Sequence, residues 1–162
     1  MVLFPHHFAH VVRHAQELAD ELGGDREIVT LAAWMHDIGS IIHGREDHHI
    51  TGAEIAETKL KEFDYDGEKI QQVKSCILKH RGSQDIIPET LEEKIVAEAD
   101  AMSNFDNISG IYKAAFIYEK CEQGEAGEVV RKKLENKWKK LHFRESRRII
   151  EPKYRAIITL LG

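Results

Sequence analysis

The fold is decided by the stretch Leu31-Ala32-Ala33-Trp34-Met35-His36-Asp37-Ile38-Gly39-Ser40-Ile41-Ile42, which is apolar on every side except at its central His-Asp pair. A helix that is apolar all round is a buried helix, so the stretch predicts a core helix. An ionised carboxylate in such a place costs several kcal/mol of desolvation unless a partner compensates its charge. A metal ion suits imidazole and carboxylate together. A hydrogen-bonded core pair is the alternative that this stretch alone leaves open.

The composition of the whole chain restricts the class of protein. With 162 residues the chain is expected to form one domain, residues 1–162, whose core needs no disulfides. A net charge of -5 argues against bulk nucleic-acid binding and favours a small ligand. The two cysteines, Cys76 and Cys121, have no metal-ligand spacing and are expected to be reduced thiols. No signal peptide or membrane-spanning run is evident, so we expect a cytoplasmic protein that does not contact membranes.

Apolar residues recur at helical spacing along almost the whole chain, and strand-like alternation is absent, which predicts an all-α fold. The first predicted helix covers residues 5–22 and the second covers residues 25–42. The later predicted helices are centred on residues 53–63, 70–77 (ending at Arg81-Gly82-Ser83), 89–102, 130–141 and 150–161. The helix of 89–102 continues toward Cys121 after a kink at Ser103-Asn104, and the last helix is interrupted by Pro152.

Ten histidines exceed what the packing of a helical domain needs, and their helical phase selects among them. At about 100° per residue, His7 lies closest to the apolar stripe of the first helix. The other histidines of that helix, His6, His10 and His14, are expected on its solvated face. His7 is therefore the inward-facing candidate ligand.

Further histidines and one aspartate lie near the inward faces of later helices. His48 and His49 open the third helix, His80 follows the apolar positions of the fourth, and Asp100 lies in the fifth. Each of these alone is more often a satisfied polar group than a ligand. Several helices that each offer such a group near the buried His-Asp pair indicate a divalent metal ion, because imidazole and carboxylate are its ligands.

The segments that carry these residues resemble the HD-domain metal-dependent phosphohydrolases. The motif of that family is a His, an adjacent His-Asp and a distant Asp, which correspond here to His7, His36-Asp37 and Asp100. The resemblance covers residues 5–116 and implies a bundle of about six to eight helices around a metal site. The C-terminal helices, residues 125–162, lie beyond it. Their Lys137-Trp138-Lys139-Lys140 run is expected to be a solvated face, and a role in steering phosphate is the alternative.

Many members of this family carry two further histidines, which the segments His48-His49-Ile50-Thr51-Gly52 and Lys79-His80-Arg81 resemble. The spacing to Gly52 favours His48 as the ligand, whereas the helical phase favours His49. Small bacterial members often have an Asp three residues after the last ligand, where this chain has Ser103. The chain also lacks the Gly-Tyr-Pro segment of the cyclic dinucleotide phosphodiesterase branch. Neither narrower assignment therefore carries over.

The resemblance implies one or two divalent ions per chain, with Mn, Fe, Mg, Co, Ni or Zn all suited to mixed nitrogen and oxygen ligands. The implied ligands are His7, His36, Asp37, Asp100, His48 or His49, and His80. Asp37 would bridge two ions, and a hydroxide formed on the metal would attack phosphorus. The candidate catalytic residues are Asp37, His36, His80, Lys79 and Arg81. The last two flank the proposed ligands, as Arg45 does, and could clamp phosphate, although surface positions after a helix end explain them nearly as well.

The expected substrate is a small phosphorylated molecule. Phosphomonoester or nucleotide hydrolysis is the first hypothesis, and phosphodiester hydrolysis is the second. The competing class is a non-catalytic module in which the metal is structural or sensory. Turnover of a phosphate ester with added Mn or Mg, abolished by chelation, discriminates between these classes. The sequence names neither the substrate nor the oligomeric state, and it is compatible with a homo-oligomer.

Overall fold

The computed structural model describes residues 4–81 and 86–162, and every regular element in these ranges is an α-helix. The all-α prediction is therefore confirmed. The described residues form α1 (Phe4–Leu22), α2 (Arg26–Met35), α3 (Ile38–His43), α4 (His48–Glu62), α5 (Gly67–Lys79), α6 (Leu91–Ser103), α7 (Ile108–Tyr118), α8 (Gln123–Lys139) and α9 (Arg144–Leu160). Gly82 and Ser83, the predicted end of the fourth helix, lie outside the described residues. No described helix is both long and apolar enough to cross a membrane.

Helices α1, α2, α4, α5 and α6 surround the core that positions the site, because each presents an apolar face to its neighbours. Small side chains occur where these helices meet, and Ala15, Ala32, Ala56 and Ala99 are fully buried. Small residues let helix backbones approach closely, which brings the helix ends together. Larger side chains such as Leu18 fill the space between them, and each fully buried leucine contributes about 1.5–3 kcal/mol relative to an exposed one.

The prediction of one continuous helix over residues 25–42 is wrong, because the helix breaks at the His-Asp pair. Helix α2 ends at Met35 and α3 begins at Ile38, which leaves Asp37 between them with φ -107° and ψ 10°. The break lets α3 pack on α4 through Gly39, where an added Cβ would lie 2.3 Å from the carbonyl oxygen of His48. This close approach holds the start of α4 beside Asp37. The break also makes the described helices nine, one more than the upper end of the predicted range.

The deciding stretch is also more exposed than its apolar composition predicts. Trp34, Ile41 and Ile42 each expose about half of their surface. Trp34 stacks on Phe8 of α1 with ring centroids 6.5 Å apart. Ile41 lines the cavity that holds the candidate site. The apolar residues of this stretch therefore form part of a cavity wall as well as part of the core.

The C-terminal helices α8 and α9 pack on α6 and on each other. Glu98 of α6 is buried and accepts hydrogen bonds from the backbone N–H groups of His142 and Phe143 at 2.8 and 3.1 Å, which fixes the α8–α9 connection. The predicted interruption at Pro152 is wrong, because this residue lies inside a continuous α9. Pro152 is exposed, so water can solvate the carbonyl group that loses its helical donor.

Candidate metal centre

Six His and Asp side chains meet at the ends of their helices. They are His7 near the start of α1, His36 and Asp37 in the α2–α3 break, His48 at the start of α4, His80 directly after α5 and Asp100 near the end of α6. Five of the six line a cavity of about 910 Å³. The exception is His36, which is fully buried.

A first group of possible metal ligands consists of His7, His36 and one oxygen of Asp37. The Nε2 atoms of the two histidines are 3.2 Å apart. Asp37 Oδ2 lies 3.7 Å from Nε2 of His7 and 3.6 Å from Nε2 of His36. Three donor atoms from three helix ends therefore face one small volume.

A second group consists of the other oxygen of Asp37 with His48 and His80. Asp37 Oδ1 lies 3.1 Å from Nε2 of His48 and 3.8 Å from Nε2 of His80. The two oxygens of this carboxylate therefore point to different pairs of histidines. This is the arrangement that a carboxylate shared between two ions requires.

The imidazole rings are oriented by hydrogen bonds to main-chain carbonyl groups. A carbonyl oxygen only accepts, so each bonded Nδ1 carries a proton, and a ring that is neutral then presents a lone pair at Nε2. The bonds run from His36 Nδ1 to Ala33 O (2.8 Å), from His48 Nδ1 to Arg45 O (2.8 Å) and from His80 Nδ1 to Ile77 O (2.6 Å). Metal-ligating histidines have this arrangement, because the outer bond fixes the tautomer and the ring orientation.

Ser103 orients the ring of His7 in the same way, with the proton on Nδ1. Its residue type alone did not mark it as functional. The Ser103 hydroxyl donates to the carbonyl oxygen of Asp100 at 2.7 Å, so toward His7 it accepts. His7 Nδ1 donates to it at 3.1 Å, which leaves the Nε2 lone pair of His7 facing that of His36. Two lone pairs 3.2 Å apart repel each other unless a cation lies between them or one ring is protonated. The sequence could have indicated Ser103 only by its position, one helical turn after Asp100.

Protonation is disfavoured in most of this centre. Burial lowers the pKa of His7, and burial together with the neighbouring His36 lowers the pKa of His80 to about 4. Burial raises the pKa of Asp37, but the hydrogen bond with His48 helps to outweigh it, so the pKa of this carboxyl is lowered overall. His48 is the exception, since the same bond raises its pKa. The centre therefore combines neutral rings at His7 and His80 with ionised carboxylates.

Asp100 has its two oxygens in different environments. Oδ1 lies 3.5 Å from His7 Nε2 and 3.9 Å from His36 Nε2, whereas Oδ2 accepts a hydrogen bond from Lys137 Nζ at 2.9 Å. Burial raises the pKa of Asp100, but Lys137 and the nearby histidines outweigh it and lower the pKa. Lys137 therefore holds the carboxylate with Oδ1 toward the histidines. The expectation that residues 137–140 form a solvated face is wrong for Lys137.

These donors fit a divalent transition metal ion. Imidazole nitrogen and carboxylate oxygen are the mixed set that such ions accept. Their bonds to these donors are about 2.0–2.2 Å long, so neighbouring donors on one ion lie about 3 Å apart. The shortest donor separations in the two groups, 3.2 and 3.1 Å, match that value.

The structure brings His48 to the centre and leaves His49 outside it. His48 is held by its Nδ1 bond to the carbonyl oxygen of Arg45. His49 belongs to neither group of possible ligands, and its buried Nδ1 has no hydrogen-bond partner among the described residues. The physical reason is helix geometry: consecutive residues point about 100° apart, so only one of the two histidines faces Asp37.

Of the predicted phosphate-clamping residues, Lys79 lies away from the cavity. Its Nζ pairs with Glu89, just before α6, at 2.7 Å and with Glu93 of α6 at 3.1 Å. These two carboxylates balance the charge of Lys79. Arg81 and Arg45 do line the cavity. The guanidinium of Arg45 lies over the ring of Tyr118, 4.9 Å from its centroid.

The expected solvated face of the first helix is wrong at His14. This residue is 1% exposed, and its Nε2 lies 2.5 Å from Oδ2 of Asp106. His6 is exposed and His10 is partly exposed. A second His-Asp cluster therefore lies two helical turns along α1 from His7.

Comparison with known proteins places the chain in a family. The model of the HD domain matches residues 6–104, so the chain belongs to the HD domain family. The match ends before α7, α8 and α9.

Relatives and solved structures extend this finding. Over 127 residues the chain is 33% identical to a tRNA (cytidine(56)-2'-O)-methyltransferase of Picrophilus torridus, which covers 70% of this chain but 35% of that protein. The Lin1889 protein of Listeria innocua has a TM-score of 0.76 at 18% identity, covering 96% of this chain and 82% of that one. An HD-superfamily hydrolase of Bacillus thuringiensis has a TM-score of 0.70 at 17% identity, with 96% and 80% covered. The two structures show a shared fold that includes the C-terminal helices.

Proposed function

We propose that the protein is a metal-dependent phosphohydrolase that cleaves a phosphate ester or anhydride of a small molecule or nucleotide. The observation that carries this proposal is the position of Asp37, whose two oxygens face two separate pairs of histidine Nε2 atoms at the wall of a large cavity. Membership of the HD domain family supports the same conclusion. The proposed ligands are His7, His36, Asp37 and Asp100 for one ion, and Asp37, His48 and His80 for a second.

A divalent ion bound here supplies an activated water and neutralises phosphate charge. The residues of the chain would supply the rest. Lys137 holds Asp100 in place through its Oδ2 atom, and Ser103 holds the ring of His7. Arg81 and Arg45 line the cavity, where guanidinium groups are suited to bind phosphate oxygens in pairs.

The test is hydrolysis of a panel of phosphomonoesters, phosphodiesters and nucleoside triphosphates with added Mn or Mg. We expect wild type to turn over at least one class and to lose that activity on chelation. Asp37→Asn should be inactive with every substrate. Asp64→Asn is the matched control, because Asp64 is an exposed aspartate in the turn after α4 and does not line the cavity.

The outcomes separate the competing classes. Cleavage of diesters alone would assign a phosphodiesterase. Bound metal without turnover of any substrate in the panel would contradict the proposal and favour a non-catalytic module. Activity that survives in Asp37→Asn would contradict the assignment of the site.

A further inference from the structure

Helix α8 lies outside the part of the chain that matches the HD domain, yet this helix and its C-cap residue contribute three cationic side chains to the same cavity. They are Lys133, Lys137 and Lys140, which we call the lysine row. Residues separated by four and then three positions lie on one side of a helix. The first and last lysines are seven positions apart, or about 10 Å along the helix axis.

The packing of α8 fixes the direction of this row. Val130 and Leu134 are fully buried on the neighbouring face of the helix. At its end, the ring of Trp138 stacks on that of Tyr154 of α9, with centroids 4.5 Å apart and planes 1° from parallel. The helix therefore cannot rotate the lysines out of the cavity without breaking this packing.

The described residues that line the cavity carry more positive than negative charge. Their cations are Lys133, Lys137, Lys140, Arg45 and Arg81, and their carboxylates are Asp37 and Asp100. The chain as a whole has a net charge of -5, so the cavity is positively charged in a protein whose net charge is negative. Bound divalent ions would add to the excess.

The lysine row is not fully used by contacts within the protein. Lys137 is paired with Asp100, and Lys140 donates one hydrogen bond to the carbonyl oxygen of Arg81 at 2.8 Å. No ion pair to Lys133 occurs within residues 4–81 and 86–162. Burial, and then the neighbouring Lys137, lower the pKa of Lys133, so both disfavour its charged form. An anionic ligand would offset this effect.

We infer that the lysine row selects substrates with two or more consecutive phosphate groups over substrates with one. This inference rests on the proposed function and names its substrate class. A single phosphate at the metal centre would be held by the ions and the two arginines. Further phosphates would extend along α8 toward Lys133 and Lys140, where each gains a charge-assisted contact.

Two carriers of consecutive phosphates fit the charge pattern, a nucleoside polyphosphate and an inorganic polyphosphate. The cavity also has apolar lining from Ile41, Ile111 and Ala114, beside the ring of Tyr118. Such lining gives an organic group a place to bind. A comparison of probes with and without a nucleoside therefore distinguishes the two carriers.

The test measures binding of non-hydrolysable probes to the full, Mn-loaded chain by calorimetry. Methylenediphosphonate presents two linked phosphonates and methylphosphonate presents one. Wild type should bind the diphosphonate at least about tenfold more tightly, because the second phosphonate gains a charge-assisted contact. The double variant Lys133→Gln/Lys140→Gln should lose most of this preference. Lys137 is left intact because it contacts Asp100.

The matched control is Lys132→Gln/Lys139→Gln, which removes the same charge from exposed positions of α8 that do not line the cavity. It should keep the preference. Equal binding of the two probes by wild type, or the same preference in both double variants, would overturn the inference. Adenosine α,β-methylene diphosphate has the same number of phosphorus groups as methylenediphosphonate, so tighter binding of the adenosine probe would assign a nucleotide as the carrier, and equal or weaker binding an inorganic chain. Hydrolysis plays no part in this assay, so lack of turnover counts against the proposed function alone.

Discussion

Two His-Asp clusters lie on the same side of α1, and they differ in what balances the carboxylates. In the cluster around Asp106, the carboxylate is almost fully buried and contacts His14 at 2.5 Å and Arg13 at 2.9 Å. Lys153 of α9 binds its other oxygen. The protein itself supplies the positive charge, and Asp106 does not line the cavity.

The metal centre has the opposite balance. Two carboxylates and four imidazoles share the site, three of the carboxylate oxygens face imidazole nitrogens, and Lys137 pairs with the remaining one. Hydrogen bonds at Nδ1 direct the lone pairs of the rings inward, and the site opens to a cavity. Residue type alone therefore does not separate a charge-balanced His-Asp pair from a candidate metal site. Charge balance and access do.

Exchanging the acid for its amide in each cluster should give opposite results. Asp37→Asn should lose the bound metal. Asp106→Asn should keep it but lower the free energy of unfolding by about 3 kcal/mol, because Arg13, His14 and Lys153 would lose their counter-charge. Elemental analysis and urea unfolding measure the two effects. Metal loss in Asp106→Asn with stability unchanged would erase the distinction.

The Asp106 effect should also depend on pH. Burial raises the pKa of Asp106, but His14 and Lys153 outweigh it, so its pKa lies below the ordinary value. A lowered carboxyl pKa stabilises the fold above the unfolded pKa of about 3.9. The stability difference between wild type and Asp106→Asn should therefore be constant near neutral pH and shrink as the pH falls below about 4. A difference that shrinks already between pH 8 and 6 would assign it to another group.

The histidines of α1 give a second comparison of the clusters. His7→Ala should weaken metal binding by more than about 100-fold, because even the outer partners of metal ligands are worth 10–100-fold. His14→Ala should leave metal affinity unchanged and cost about 1–3 kcal/mol of stability, because it leaves part of Asp106 without a partner. Metal titration and thermal unfolding of both variants check this. Equal metal affinities in the two variants would contradict it.

Ser103 should give a smaller effect in the metal centre. Ser103→Ala removes the acceptor for His7 Nδ1, so the ring loses the bond that fixes its tautomer. Metal affinity should fall by about 10–100-fold. Ser103→Thr retains the hydroxyl and serves as the control. Unchanged affinity in Ser103→Ala would show that the orientation of His7 does not need this bond.

The sequence predicted the helical fold and nominated most residues that the structure brings together, because helical phase and motif spacing are local properties. The expected solvated position of His14 is wrong. His14 follows His7 by seven residues, which is close to two helical turns and places both on the same face of α1. Its partner Asp106 lies 92 residues away, which no local pattern reveals. Lys137 and Ser103 depend on tertiary packing in the same way. The exclusion of His49 is likewise visible only in the folded structure.

The central claim is that Asp37 joins two metal sites, and counting the ions tests it most directly. Titration with Mn at saturation should give two ions per chain in wild type and one in His80→Ala. His49→Ala should still bind two, because its ring belongs to neither group of ligands. A wild-type stoichiometry that never exceeds one would contradict the claim and assign His48 and His80 to the phosphate instead.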